Sequence, residues 1–95
     1  MASKKNLKKD INYLIDEVIG TSLMHQSSKD EKTQAQMDEL IKNMLTFREE
    51  MLEKVNQPDI EPPKGKKLKA YYRDLYSELL TKVNEAFEQL NKLVE

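Results

Sequence analysis

Two clusters of basic side chains are the residues of this sequence best suited to chemistry with a ligand. One lies near the start of the chain, and the other opens its last third, where two tyrosines accompany it. Cations attract anions, and aromatic rings beside them can stack on unpaired bases. The pattern is compatible with contacts to nucleic acid or phosphate, but the simpler interpretation, solvated lysines beside core tyrosines, is favoured. The candidates are Lys4, Lys5, Lys8, Lys9, Lys64, Lys66, Lys67, Lys69 and Arg73, with Tyr71 and Tyr72.

The two clusters concentrate positive charge in a chain whose formal net charge is only −1. That balance argues against a generally basic nucleic-acid binder. Residues 1–10 nevertheless carry +3 and residues 64–73 carry +5, whereas residues 47–63 carry −3. If these segments meet at one end of a helical bundle, that end holds about +5 and the remainder about −6. The sequence thus predicts an electrically polar molecule.

Catalytic and metal-binding patterns are not found in the sequence. There is no cysteine, and the one histidine, His25, has no second histidine or glutamate at ligand spacing. Adjacent acidic residues on a helix point about 100° apart, so they do not converge on one metal or proton. No glycine-rich phosphate loop or nucleophile motif occurs. We therefore expect no enzyme, no metal and no cofactor. The adjacent acidic pairs are Asp16-Glu17, Asp38-Glu39 and Glu49-Glu50.

Arg48 is the one charged residue that falls inside an apolar helix face. By helical angle it lies between the hydrophobic residues of its own helix. A buried, unpaired guanidinium is costly, so we expect it to extend to the helix edge or to meet a carboxylate. Folding the helices back on each other would bring it near Asp10 or Asp74. The alternative is an arginine that binds a ligand anion.

The elements that must position these residues are helices. Of the 95 residues, 38% are hydrophobic and 35% are charged, with only two glycines and three prolines. Such a composition predicts an all-α protein of one domain. The last third carries an apolar face about half a helix circumference wide, so that helix should pack against two neighbours at once. The face consists of Leu68, Tyr72, Leu75, Tyr76, Leu79, Leu80, Val83, Phe87, Leu90 and Val94.

The periodicity predicts an antiparallel, up-down-up three-helix bundle that forms a single domain over residues 1–95. The helices are expected at about residues 4–24, 29–56 and 66–94, with a proline-rich linker at 57–65. In such a bundle the starts of the first and third helices lie at the same end. The two basic clusters would then form one basic pole.

Local signals set the expected helix ends. Ser28 and Glu31 match an S-x-x-E capping box and predict the start of the second helix. Pro58 stops that helix, while only Gly65 offers a weak cap for the third. Gly20 lies inside the first helix and weakens it by about 1 kcal/mol relative to alanine, so fraying is expected from there.

Some apolar residues allow two interpretations. Met37, Met44 and Met51 recur every seven residues, which is typical of core packing, although methionine stripes can also form adaptable binding grooves. Other apolar residues lie off the predicted core faces. They are either exposed side chains or part of a dimer face, and they are Tyr13, Met24 and Leu45.

Three stretches carry a resemblance to other proteins. They are Lys-Lys-Asn-Leu-Lys-Lys-Asp-Ile-Asn-Tyr-Leu at residues 4–14, Asn-Gln-Pro-Asp at 56–59 and Phe-Glu-Gln-Leu-Asn-Lys-Leu at 87–93. Together they resemble a group of small, uncharacterised, all-helical bacterial proteins without assigned activity, cofactor or functional residues. The resemblance implies a bacterial protein. No apolar run approaches the ~20 residues of a membrane span and no secretory signal opens the chain, so we expect no membrane partner and a cytoplasmic location.

Two functions remain from the sequence. The first is a non-enzymatic helical protein that acts as a protein interaction or structural module. It would present a helix face or a charged pole to a protein partner or to another copy of itself. The second is a nucleic-acid or phosphate-binding accessory protein that uses the basic pole at the starts of helices one and three.

Overall fold

The protein folds into three helices, which a computed structural model describes over residues 4–61 and 64–95. They are α1 (Lys4–Gln26), α2 (Glu31–Asn56) and α3 (Gly65–Val94), and each contacts the other two. The predicted all-α, three-helix bundle is confirmed. Hydrogen bonds join the end of α1 to the first turns of α2, and the end of α2 to the start of α3. Further along, Asp16 meets Arg48 and Phe47 meets Lys82, so successive helices run in opposite directions.

The core is built from the predicted apolar faces. Met37, Met44 and Met51 are fully buried, which confirms their assignment to the core. Leu80 is an exception, because it was expected on the apolar face of α3 and is 40% exposed. By helical angle it lies at the margin of that face, so it is only partly covered. The other buried hydrophobic residues are Leu7, Ile11, Ile15, Val18, Leu40, Phe47, Val55, Tyr72, Leu75, Leu79, Val83, Ala86 and Leu90.

The first helix continues past its glycine. Fraying was expected near Gly20, with an end near Met24, but α1 runs on to Gln26. Val18 and Ser22 are fully buried on either side of the glycine, so tertiary packing outweighs its low helix propensity. The Ser22 hydroxyl also donates to the Val18 carbonyl oxygen at 2.8 Å.

The second helix is capped by Asp30, and the predicted Ser28–Glu31 capping box is wrong. The Asp30 carboxylate accepts a hydrogen bond from the Thr33 backbone N–H at 3.1 Å. Hydrogen bonds from Thr33 also lower the pKa of Asp30. The Ser28 hydroxyl instead donates to the His25 carbonyl oxygen at 2.9 Å, within the last turn of α1. Ser28 therefore caps the end of α1, whereas Asp30 is the N-cap of α2.

Polar side chains at the α1–α2 corner form hydrogen bonds to α2 and to the end of α3. The Gln26 side-chain amide donates to the Gln34 carbonyl oxygen and to the Asp38 carboxylate. Lys29, in the turn, donates to the Val94 carbonyl oxygen at 2.8 Å. A lysine at the carboxyl end of α3 satisfies a free carbonyl and suits the negative end of the helix dipole. The corner thus holds the end of the third helix.

At the opposite end of the bundle, two adjacent tyrosines of α3 donate hydrogen bonds to the carboxyl end of α2. The Tyr71 hydroxyl donates to the Lys54 carbonyl oxygen at 3.0 Å, and the Tyr72 hydroxyl donates to the Val55 carbonyl oxygen at 3.3 Å. Both carbonyls belong to the last turn of α2, where the helix itself offers no donor. The first turns of α3 therefore supply the hydrogen-bond donors that the last carbonyls of α2 lack.

The bundle is a rod of 50 × 19 × 17 Å. Within the two described ranges, none of the helices combines the length and the hydropathy that crossing a membrane requires.

Candidate functional site

An open groove runs between the start of α1 and the first half of α3, with a volume of about 990 Å³. Lys9 lies on the α1 side, and Lys66, Lys69 and Arg73 lie on the α3 side. The structure thus places members of both basic clusters around one concave surface, which we call the basic groove. Its lining is Asn6, Leu7, Lys9, Asp10, Lys66, Lys69, Ala70, Arg73 and Tyr76.

Helical spacing explains why the α3 cations share one wall. Lys66, Lys69 and Arg73 are separated by steps of three and four residues, which place side chains on the same side of a helix. Between the two walls, Leu7 is buried and Ala70 is half-buried. The groove therefore has charged rims and a partly apolar floor.

The electrostatics of the groove favour an anionic ligand. Four basic side chains against the single carboxylate of Asp10 give the lining a formal charge of +3. Neither α1 nor α3 has an acidic residue in its first turn. At the start of α3, Lys64 occupies the N-cap position and makes no side-chain hydrogen bond to the helix. The positive ends of both helix dipoles add to the potential of the lysines at this end of the bundle.

The remaining basic candidates lie outside the groove lining. The Lys67 ammonium donates to the Glu61 carbonyl oxygen at 3.0 Å and holds the linker to α3. Lys8 is half-buried on α1. The others are exposed around the same end of the bundle, where they contribute long-range charge: Lys4, Lys5 and Lys64.

The two candidate tyrosines do not lie beside the basic groove, as the sequence had suggested. Their rings, with centroids 6.0 Å apart, face the end of α2. Tyr72 is 6% exposed, so its ring is not available for stacking on a base, and burial raises the pKa of its hydroxyl. The aromatic residue in the groove is Tyr76. Its position three residues after Arg73 was the available signal, because that spacing shares a helix side.

Arg48 forms an ion pair at the seam between α1 and α2. Its Nη1 atom lies 2.9 Å from the Asp16 carboxylate, and the arginine side chain is 28% exposed. The expected partners, Asp10 and Asp74, are wrong. Asp10 lines the basic groove, and Asp74 lies 3.9 Å from Arg73 on α3. A paired arginine at a helix seam explains the charged residue in the apolar face without a ligand.

A second concave surface, which we call the acidic cleft, lies between the end of α2 and α3, with a volume of about 570 Å³. Five carboxylates line it against the single ammonium of Lys54, which is 3.4 Å from Glu78. Among the described residues, no cluster of three or more histidine, aspartate or glutamate side chains is arranged to hold a metal ion. The carboxylates belong to Glu50, Glu53, Asp59, Asp74 and Glu78.

Comparison with known proteins finds no match: no family model fits the chain, and no curated protein or solved structure is significantly similar to it. The chemistry of the basic groove is therefore the main guide to function. Its ammonium and guanidinium groups donate hydrogen bonds and carry positive charge. Such a surface can hold carboxylates or phosphates.

Proposed function

We propose that the protein is a non-enzymatic interaction module whose basic groove binds an acidic segment of a protein partner. The observation that carries this proposal is the meeting of cations from α1 and α3 across one groove. An acidic helix or strand laid in the groove would pair its carboxylates with Lys9 on one rim and with Lys69 and Arg73 on the other. Such recognition follows the helix-in-groove mode.

The floor of the groove favours a protein segment over a nucleic acid. The half-buried Ala70 and Tyr76 offer apolar surface on which an aliphatic side chain of the partner can rest. A nucleic acid needs a continuous track of cations along its phosphates. On the α2 side of this end, the carboxylates of the acidic cleft would repel such a track. Nucleic-acid or phosphate binding is therefore the second candidate, supported by the formal charge of the groove alone.

We further propose that the protein works in the bacterial cytoplasm. The three stretches that resemble small helical bacterial proteins support the source. The absence of cysteine supports the compartment, because the fold depends on no disulfide and so on no oxidising environment. Fractionation of bacterial cells that express a tagged copy tests the location. Recovery of the tagged chain outside the cytoplasmic fraction would contradict it.

The binding proposal is tested with a labelled synthetic peptide that carries glutamate and leucine at helical spacing. A single-stranded oligonucleotide of equal charge serves as the comparison. Fluorescence anisotropy should show that the peptide binds more tightly than the oligonucleotide at low ionic strength. The affinity should fall as ionic strength rises from about 0.01 M to about 1 M, because the Debye length shrinks from roughly 30 Å to roughly 3 Å.

Charge reversal then locates the site. Replacing Lys69→Glu together with Arg73→Glu should weaken peptide binding about tenfold or more, since it replaces attraction by repulsion at both residues. The matched control is Lys32→Glu with Lys42→Glu, which makes the same change of net charge at exposed positions outside the groove. Tighter binding of the oligonucleotide, lost in the groove variant, would replace the proposal with the nucleic-acid function. No binding of either probe would remove both.

A further inference from the structure

A second surface at the same end of the bundle complements the basic groove. In the last turns of α2, Glu49, Glu50 and Glu53 are all exposed. Glu53 follows Glu50 by three residues and Glu49 by four, so it lies between them around the helix, and the three cover about 100° of its outer side. Glu50 and Glu53 also border the acidic cleft between α2 and α3, and we call the three glutamates together the acidic ridge. Its formal charge of −3 is opposite to that of the groove lining.

The groove and the ridge lie on different faces of the rod. Three packed helices occupy the corners of a triangle, so a groove between α1 and α3 faces away from α2. No residue of α2 lines the basic groove. The two surfaces also lie at the same position along the bundle axis, because Tyr72 near the start of α3 is hydrogen-bonded to Val55 at the end of α2.

The acidic ridge is complementary to the basic groove in both shape and charge. The ridge is one side of a helix, which is the shape that a groove between two helices accepts. Its glutamates would meet Lys9 on one rim and Lys69 or Arg73 on the other. Both surfaces belong to the same chain, so every copy carries a donor and an acceptor for this contact.

From this complementarity we propose that a partner of the basic groove is a second copy of this chain, bound through its acidic ridge. The inference rests on the proposed function and names the occupant of the groove. A contact between two different surfaces is heterologous, so it leaves one groove and one ridge free in every pair. Because the two surfaces face different directions, one copy can bind one neighbour through its groove and another through its ridge, so copies can add side by side in a row.

Sedimentation of the full chain over a range of concentrations tests the inference. The average mass should exceed that of the monomer at low ionic strength and return to it near 1 M, where the Debye length is about 3 Å. Both Lys69→Glu with Arg73→Glu and Glu50→Lys with Glu53→Lys should weaken self-association about tenfold or more. The matched controls are Lys32→Glu with Lys42→Glu and Glu85→Lys with Glu88→Lys, at exposed positions elsewhere.

Mixing the two interface variants provides the decisive measurement. In the mixture, the acidic ridge of the first variant can meet the basic groove of the second. The reversed ridge of the second can likewise meet the reversed groove of the first. Association should therefore return in the mixture, although each variant alone associates much more weakly than the unaltered protein. A loss of association through misfolding would not be restored in this way.

Three results would overturn the inference. They are a monomer at every concentration at low ionic strength, equal weakening by the control variants, and no recovery in the mixture. Binding of the glutamate–leucine peptide separates this failure from failure of the proposed function. If the chain stays monomeric but its groove binds the peptide, the partner is another protein and the function stands. If it neither associates nor binds the peptide, both proposals fail.

Discussion

At the scale of single residues, the two glycines of the chain have different backbone requirements. Gly20 is in the middle of α1, and a methyl group added there would meet no atom within 4 Å. Gly65, at the start of α3, has φ of +70°, a conformation that side-chain-bearing residues rarely adopt. Substitution by alanine should therefore have opposite effects at the two positions.

We predict that Gly20→Ala raises the free energy of unfolding by about 0.5–1 kcal/mol, because alanine loses less backbone entropy in a helix. For a domain of this size, each kcal/mol corresponds to a rise in Tm of about 4–8 °C. Thermal denaturation followed by circular dichroism measures the change. Gly65→Ala is the control and should lower the Tm. An unchanged or lower Tm for Gly20→Ala would indicate that α1 is frayed at that position.

At the scale of secondary-structure elements, the contact between Tyr72 and the end of α2 makes two helices depend on each other. We predict that Tyr72→Phe lowers the free energy of unfolding by about 1–3 kcal/mol, because the buried Val55 carbonyl loses its donor. Urea denaturation at neutral pH measures the loss. Tyr13→Phe is the control, since Tyr13 is 63% exposed, and should change stability little.

The same contact gives stability a dependence on alkaline pH. Burial raises the pKa of Tyr72 above its ordinary value of 10.0, so the folded state binds this proton more tightly than the unfolded state. This contribution is complete below the ordinary pKa and is lost as the pH rises through the raised pKa. Urea midpoints measured across that window should fall less steeply for Tyr72→Phe than for the unaltered protein. Parallel curves for the two chains would contradict the assignment.

The sequence predicts the angular position of a residue around its own helix better than its partner on the next helix. Periodicity was sufficient for the core positions of Met37, Met44 and Met51, because burial follows the angle around one axis. The partner of Arg48 depends also on how far one helix slides along another. That shift is set by the turn and the helix ends, where Asp30 is the N-cap and Ser28 is not. The predicted partners of Arg48 were therefore wrong, although a carboxylate was expected.

The basic groove was predictable only in part for the same reason. In an up-down-up bundle α1 and α3 begin at the same end, so the order of the helices was sufficient to predict that Lys9 lies near Lys69. Which side of α3 faces α1 depends on packing. The sequence therefore placed Tyr71 and Tyr72 beside the cations, where the structure has Tyr76.

At the scale of the whole molecule, the helices produce an elongated particle. The Cα radius of gyration is 15.4 Å, whereas a compact domain of this length has about 12 Å. Small-angle X-ray scattering of dilute protein at high ionic strength should give a rod-like distance distribution, with its tail near the 50 Å long axis. A spherical profile with a radius of gyration near 12 Å would contradict the extended bundle.

The hydroxyl groups of Tyr71 and Tyr72 have a consequence for the linker between α2 and α3. Because side chains of α3 satisfy the Lys54 and Val55 carbonyls, capping of α2 needs only Gln57 from the residues that follow it, whose backbone N–H donates to the Glu53 carbonyl oxygen. The linker mainly has to span the gap between two helix ends, and closing a longer loop costs little additional entropy. Segment 58–60 is therefore the natural position for engineering the chain. A foreign peptide grafted there would be displayed at one tip of the rod, next to the groove, while the bundle keeps its own fold.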